Sequence, residues 1–157
     1  MPKILIIYYS RTGITKKVGE IISAKLNCET EEIFTVKNVS GVLGYLACGR
    51  EAGAKKPANI KPTAKNPADY DLVIIGTPIW AWNLSSPIRA YLMNNLGKFK
   101  NIACFCTMGG SGAENAFKEI ENITGLKSLT GLAILTKEAK NCEEKINKFV
   151  DEINKLS

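Results

Sequence analysis

The chain of 157 residues contains no histidine. That absence removes the commonest general base, the usual Ser-His-Asp triad and any Cys-His nucleophile. It also leaves a zinc site without a nitrogen ligand. The cysteines, Cys28, Cys48, Cys104, Cys106 and Cys142, form an odd set without C-x-x-C spacing. Neither a metal cluster nor a disulfide framework is therefore expected. Cys104 and Cys106 stand two apart in an apolar run and read as small buried hydrophobes on one face of a strand.

Long apolar runs are missing too. The stretch at residues 4–9 is far too short to span a bilayer, and no small-residue cleavage site follows it. The chain reads as cytoplasmic, with no membrane partner. Neither G-x-x-x-x-G-K-S/T nor G-x-G-x-x-G occurs, which counts against nucleoside triphosphate and classical NAD sites. Any chemistry here is expected to come from a cofactor.

What is present is ordinary in bulk: 45% hydrophobic and 23% charged residues, in a length suited to one domain, residues 1–157. Lysine plus arginine number 21 against 15 acids, a formal charge of +6. The basic residues are scattered, without a dense block or interleaved aromatics. A solvated mixed surface is the first reading and attraction to an acidic partner the second, while nucleic acid is not expected.

Periodicity points to an α/β fold. Residues 3–8 (KILIIY), 71–76 (DLVIIG) and 102–106 (IACFC) are near-continuous apolar runs, as strands buried on both faces should be, and residues 132–136 (LAILT) are a fifth strand candidate. Residues 29–36 are more polar and suit an edge strand. Helical stripes alternate with these runs. Ile14, Val18, Ile21, Ile22 and Leu26 share one face, as do Ile88, Tyr91 and Leu92 behind a Ser86-Pro87 start. Ala116, Phe117, Ile120 and Ile123 form a third stripe ended by Gly125. Asn141 and Glu144 have capping-box spacing before Ile146, Phe149, Val150 and Ile153. Alternating strand and helix implies a parallel sheet covered by helices on both faces. Residues 37–70 break the pattern, with a turn or two of helix expected around SGVLGYLACGREAG. An extended, exposed link containing Pro57, Pro62 and Pro67 follows.

In such a sheet, ligands bind beyond the carboxyl ends of the strands. Three loops meet that condition. The first runs through YYSRTGITKK: Ser10, Thr12 and Thr15 offer hydroxyls, Gly13 permits close backbone approach, and the following helix brings free N–H groups and its positive end. Such a nest suits a phosphate dianion. The second, TPIWAWNLSSP, carries Trp80 and Trp82, costly to expose unless a planar ligand stacks on one of them. The third, TMGGSG, has Gly109, Gly110 and Gly112, which let backbone polar groups reach the edge of a flat ring. Phosphate nest, aromatic wall and glycine-rich edge together describe a phosphorylated planar heterocycle, and FMN fits.

The chain resembles the flavodoxin family over essentially its whole length. Ser10-Arg11-Thr12-Gly13-Ile14-Thr15 fits the family's phosphate loop, S/T-x-T-G-x-T. Thr77-Pro78-Ile79-Trp80, continued by Ala81-Trp82-Asn83, resembles the loop whose tryptophan stacks on the isoalloxazine. Thr107-Met108-Gly109-Gly110, with Gly112, resembles the third loop of shorter flavodoxin-like proteins. The resemblance implies a three-layer, doubly wound, five-stranded parallel sheet of order 2-1-3-4-5, for which flavodoxin is itself the standard example. It implies FMN as cofactor, those loop residues as its binding set, no catalytic side chain and no metal.

Two departures stand out. Ala81 follows Trp80 where many flavodoxins have a glycine whose peptide can flip toward the reduced flavin. The third loop lacks the tyrosine that often covers the second flavin face, so Met108 and the glycines leave that face more open. Electron-carrier flavodoxins are also typically acidic. A net charge of +6, with Arg11, Lys16 and Lys17 near the first loop, implies a higher potential for the second electron.

The leading expectation is an electron-transfer flavodoxin serving redox partner proteins, whose docking surfaces would be acidic. The alternative is an FMN-dependent NAD(P)H oxidoreductase of the quinone-reductase type, favoured by the open third loop and Trp82. A third class, a flavodoxin-shaped interaction module without FMN, is disfavoured by the intact phosphate loop. Monomer and homodimer both remain open from sequence.

Overall fold

The computed structural model describes residues 1–36 and 41–156. Six strands form one sheet: β1 (Ile4–Tyr8), β2 (Glu29–Glu32), β3 (Leu72–Trp80), β4 (Asn83–Leu84), β5 (Ile102–Met108) and β6 (Ser128–Leu135). The order along the sheet is β2-β1-β3-β5-β6, with the two-residue β4 hanging from β3. Every pairing on the main path is parallel, and β3 with β4 is antiparallel. With the hairpin strand set aside, this is the expected order 2-1-3-4-5.

Helices α1 (Ile14–Leu26), α2 (Gly41–Gly53), α3 (Ser86–Asn94), α4 (Ala113–Thr124) and α5 (Glu143–Leu156) cover the two faces. The period-two alternation along β1 divides its side chains between two cores. Leu5 and Ile7 point into a core closed by Cys48 and Ala52 of α2, Ile88 and Leu92 of α3, and Ala116 and Ile120 of α4. Ile4, Ile6 and Tyr8 point into the other, closed by Val18 and Ile22 of α1 and by Ile146, Phe149 and Ile153 of α5. Burial on both sides is what makes β1, β3 and β5 read as unbroken apolar runs. Packing at the centre is close: the Phe105 ring lies so near Gly76 of β3 that a Cβ there would collide with it.

Several boundaries differ from the sequence reading. β3 and β5 run past their apolar stretches to Trp80 and Met108, carrying the parallel ladder out to Pro78↔Thr107. β2 stops at Glu32, and the residues beyond it meet the proline-rich link instead, through a Thr35↔Ile60 bridge. That link is exposed and irregular at Pro57 and Pro62, but Pro67 is buried and opens a short 3-10 turn, Pro67–Asp69, capped where Asn66 Oδ1 accepts the Ala68 N–H at 3.2 Å. It is tied down where Lys61 N–H donates to the Phe34 carbonyl at 2.7 Å. α2 has thirteen residues, well over the turn or two expected, because Cys48 and Ala52 reach the core from it. The start of the irregular connection, residues 37–40, lies outside the described residues.

α3 is preceded by Ser85 rather than Ser86 as N-cap, with Pro87 in the first turn. α5 begins at Glu143, not beside Asn141, whose N–H instead donates to the Glu138 carbonyl at 2.8 Å after a short 3-10 turn. Among the described residues, no helix is long and apolar enough to cross a membrane.

Candidate functional site

The C-terminal ends of β1, β3 and β5 lie side by side, so the loops leaving them share one edge of the sheet. In the first, Ser10 Oγ accepts the Gly13 N–H at 3.0 Å, folding the chain back on itself. Gly13 then sits at φ +93, a value that favours glycine, as the N-cap of α1. No side chain caps this helix start, and no acid lies in its first turn. The first intrahelical bond is Lys17 N–H to the Gly13 carbonyl at 3.0 Å, so the amides of Ile14, Thr15 and Lys16 precede the ladder. This geometry fits a phosphate: free amides, the positive helix end and the exposed Thr12 hydroxyl.

Thr15 is placed differently from the sequence expectation of an open donor. It is 2% exposed, and its Oγ1 lies 2.7 Å from Thr107 Oγ1 at the end of β5. The two hydroxyls join the first loop to the third. Lys16 pairs with Glu32 at 3.3 Å, which offsets part of the positive field expected there.

The second loop is a tight hairpin. Trp80 pairs with Asn83, leaving Ala81 and Trp82 as the two turn residues at φ 48 and φ 61. Positive φ at both positions matches a type I′ turn, normally made with Asn-Gly or Asp-Gly. An ordinary L-residue there costs on the order of 1–2 kcal/mol. Ala81 thus already occupies the conformation that its side chain disfavours. Asn83 Nδ2 donates to the Ala81 carbonyl at 2.7 Å. Behind the turn, Thr77 Oγ1 lies 2.8 Å from Ser85 Oγ, fixing the start of α3 to β3.

The two tryptophans part company at this turn. Trp80 is 7% exposed and meets Tyr9 edge-on, with ring centroids 5.4 Å apart. Trp82 is 69% exposed at the hairpin tip. Pro78 and Ile79 are half-buried at the end of β3. Of the two indoles, Trp82 has its surface available to a planar ligand, while Trp80 builds the wall behind it.

The third loop docks on the second. Gly112 has φ +113, and a Cβ there would stand 2.7 Å from Ile79 Cγ2 and 2.9 Å from the Trp82 Cα. Gly109 and Gly110, by contrast, are exposed and face open space. Met108 is half-buried, its carbonyl accepting the Thr136 hydroxyl at 3.1 Å. The three loops therefore meet, with Thr15, Thr77 and Trp80 buried beneath them. Loops one and three share the Thr15–Thr107 bond, loops one and two the Tyr9–Trp80 contact, and loops two and three the Gly112 approach. A mouth framed by an uncapped helix start, an exposed indole and open backbone fits a phosphorylated flat heterocycle.

Sequence reading missed what supports the turn. Asn115 and Glu119 on α4, with Arg89 on α3, form a polar chain behind it. Arg89 and Glu119, each 7% exposed, make a buried ion pair. Asn115 Nδ2 lies 3.0 Å from Glu119 Oε1, 2.8 Å from Asn83 Oδ1 and 3.1 Å from the Trp82 carbonyl. The i,i+4 spacing of Asn115 and Glu119 was visible in sequence, but their partners lie some thirty positions away.

The cysteines behave as expected of core residues. Cys104 and Cys106 are fully buried, and burial pushes both thiols up to about 12. No cluster of three metal-ligating side chains exists among the described residues.

A doubly wound α/β protein with its ligand loops at the β1/β3 switch point is the class this architecture defines. The sequence profile described as Flavodoxin matches residues 50–153, more than half of the chain, and the chain belongs to the flavodoxin family. Solved structures show the same fold. A flavoprotein in complex with FMN from Lactobacillus acidophilus is 24% identical, with a TM-score of 0.70 over 89% of this chain and 97% of its own. A putative flavoprotein from Bacteroides eggerthii is also 24% identical, with a TM-score of 0.77 over 96% and 97%. An oxidised flavodoxin from Bacillus cereus, 19% identical, reaches 0.61 over 99% of each chain. The expected cofactor, FMN, is that of this family.

Proposed function

We propose that the protein binds FMN in the mouth formed by its three loops and passes electrons between redox partner proteins. One observation carries the reading: the three loops are tied to one another, so a phosphate nest, an exposed indole and an open glycine edge are held together before any ligand arrives. Ile14, Thr15 and Lys16 amides with the Thr12 hydroxyl would hold the phosphate. Trp82 would lie against one face of the ring, and the open backbone of Gly109 and Gly110 would meet its polar edge. FMN supplies the redox chemistry when bound. The protein's part is to bind, orient and partly dehydrate it, and no side chain of the mouth serves as a proton donor in this reading.

The basic balance supports a partner with an acidic docking surface, because opposite charge accelerates encounter at low salt. It also supports a higher potential for the second electron than in an acidic flavodoxin, though the Lys16–Glu32 pair reduces the effect. A redox titration checks this, and a potential as low as that of an acidic family member would refute it.

The open surroundings of Gly109 and Gly110 favour a second reading, hydride uptake from NADH or NADPH on the uncovered ring face. Anaerobic photoreduction of the FMN-loaded protein, with NADH and NADPH offered separately, separates the two. Stepwise one-electron reduction without nucleotide oxidation supports the carrier. Direct two-electron reduction with rapid nucleotide bleaching supports the oxidoreductase. A protein that takes up no FMN refutes both.

A further inference from the structure

The hairpin turn at Ala81-Trp82 stands in a conformation that neither residue favours, and it is not held by burial, since both are exposed. A strained backbone persists only where its surroundings over-determine it. Both carbonyls of the strained residues have side-chain donors: Asn83 Nδ2 for Ala81 at 2.7 Å and Asn115 Nδ2 for Trp82 at 3.1 Å. Asn115 has two N–H donors for three acceptors, so the Trp82 carbonyl shares one of them with Asn83 Oδ1 at 2.8 Å, and the same amide orients the other clamp. Its own orientation comes from Glu119 Oε1 at 3.0 Å. The other oxygen of Glu119 is engaged by Arg89, which fixes the carboxylate in a buried site. A buried, paired carboxylate is a costly way to hold one exposed amide unless that amide has work to do.

We infer that Asn115, oriented by the Glu119–Arg89 pair, is a positioning residue that locks the Ala81-Trp82 turn and so aims the Trp82 indole into the ligand mouth. The inference rests on the FMN reading for its purpose, and on the geometry of the turn for its mechanism. The turn chemistry that usually secures a type I′ hairpin, asparagine or glycine at its centre, is absent here. A chain of hydrogen bonds from α4 takes its place. Asn115 is itself exposed, so its removal leaves no unpaired buried charge, because Arg89 and Glu119 keep each other.

The test pairs two readouts in Asn115→Ala, alone and with Ala81→Gly. Trp82 is followed in the apo-protein by its near-UV circular dichroism, assigned by difference from Trp82→Phe. FMN affinity is followed by quenching of flavin fluorescence. Asn115→Ala should collapse the Trp82 signal and weaken FMN by on the order of tenfold, with the urea midpoint nearly unchanged. Ala81→Gly relieves the strain at one of the two positions. In that background Asn115→Ala should weaken FMN by only about twofold or less.

An unchanged Trp82 signal in Asn115→Ala overturns the inference. So does an equal loss of affinity in both backgrounds. A parallel fall in global stability would make Asn115 a structural residue and also overturn it. If the wild-type protein takes up no FMN, the functional reading fails by itself, and the apo-protein spectrum still decides for or against the lock.

Discussion

Gly112→Ala is the sharpest single probe of how the mouth is built. The new Cβ would stand 2.7 Å from Ile79 Cγ2 and 2.9 Å from the Trp82 Cα. The second contact is with backbone, which has no rotamer to give. The residue would also sit at φ +113, beyond the range that an L-residue tolerates without strain. The backbone term is on the order of 1–2 kcal/mol, and overpacking adds about 1–3 kcal/mol. Partial relaxation of the loop trims the sum to about 2–4 kcal/mol.

For a chain of this length that corresponds to a loss of roughly 5–15 °C in Tm. Urea unfolding of the apo-protein measures it, with Gly110→Ala as the control. A methyl group added at Gly110 would meet nothing within 4 Å, and the residue has no positive φ. Its alanine variant should unfold within about 0.5 kcal/mol of wild type and show its effect only in FMN affinity. If Gly112→Ala is as stable as Gly110→Ala, the third loop does not dock on the hairpin as described.

Three further outcomes are expected. Glu119→Ala strands Arg89 in the core and should cost about 3–5 kcal/mol in urea unfolding, whereas replacing both partners by apolar residues should cost far less. An additive double replacement would show that the pair is not coupled. Trp80→Ala should cost about 3–5 kcal/mol as a core deletion. Trp82→Ala should change stability by less than about 0.5 kcal/mol while weakening FMN binding, and a reversal of the two would exchange the roles assigned to the indoles. Burial raises the Cys104 and Cys106 thiols from 9.0 to about 12, so the unfolded chain loses these protons first. Their contribution is full below about pH 9 and falls as pH rises toward 12, and Cys104→Val with Cys106→Val should flatten the alkaline limb of the stability–pH curve.

Much of this molecule was legible from one dimension. The apolar runs of β1, β3 and β5 announce strands buried on two sides, because short continuous apolar runs bounded by turn residues suit a sheet covered on both faces. The stripe from Ile14 to Leu26 spans the whole of α1, and Gly125 ends α4 as expected, since local periodicity and a glycine stop act over a few residues. The phosphate loop was legible for the same reason: Ser10, Gly13 and the helix they open lie within one turn of each other.

Other features depended on parts of the chain that meet only on folding. The extent of α2 was hidden because its weak stripe acquires meaning only where Cys48 and Ala52 touch the core beside Trp80. Trp80 and Trp82 look equivalent in sequence, two apart in one loop. The hairpin decides between them, since a two-residue turn at positive φ puts one indole on the strand and the other at its tip. Thr15 reads as an open donor until Thr107, ninety-two positions away, takes its hydroxyl. Local pattern thus determined most of the elements and the donor chemistry of the three loops, and the resemblance to a family supplied the strand order. Which side chains face the mouth, and what holds the strained turn in place, were decided by tertiary contacts, because strain and burial are properties of neighbours that the sequence does not put side by side.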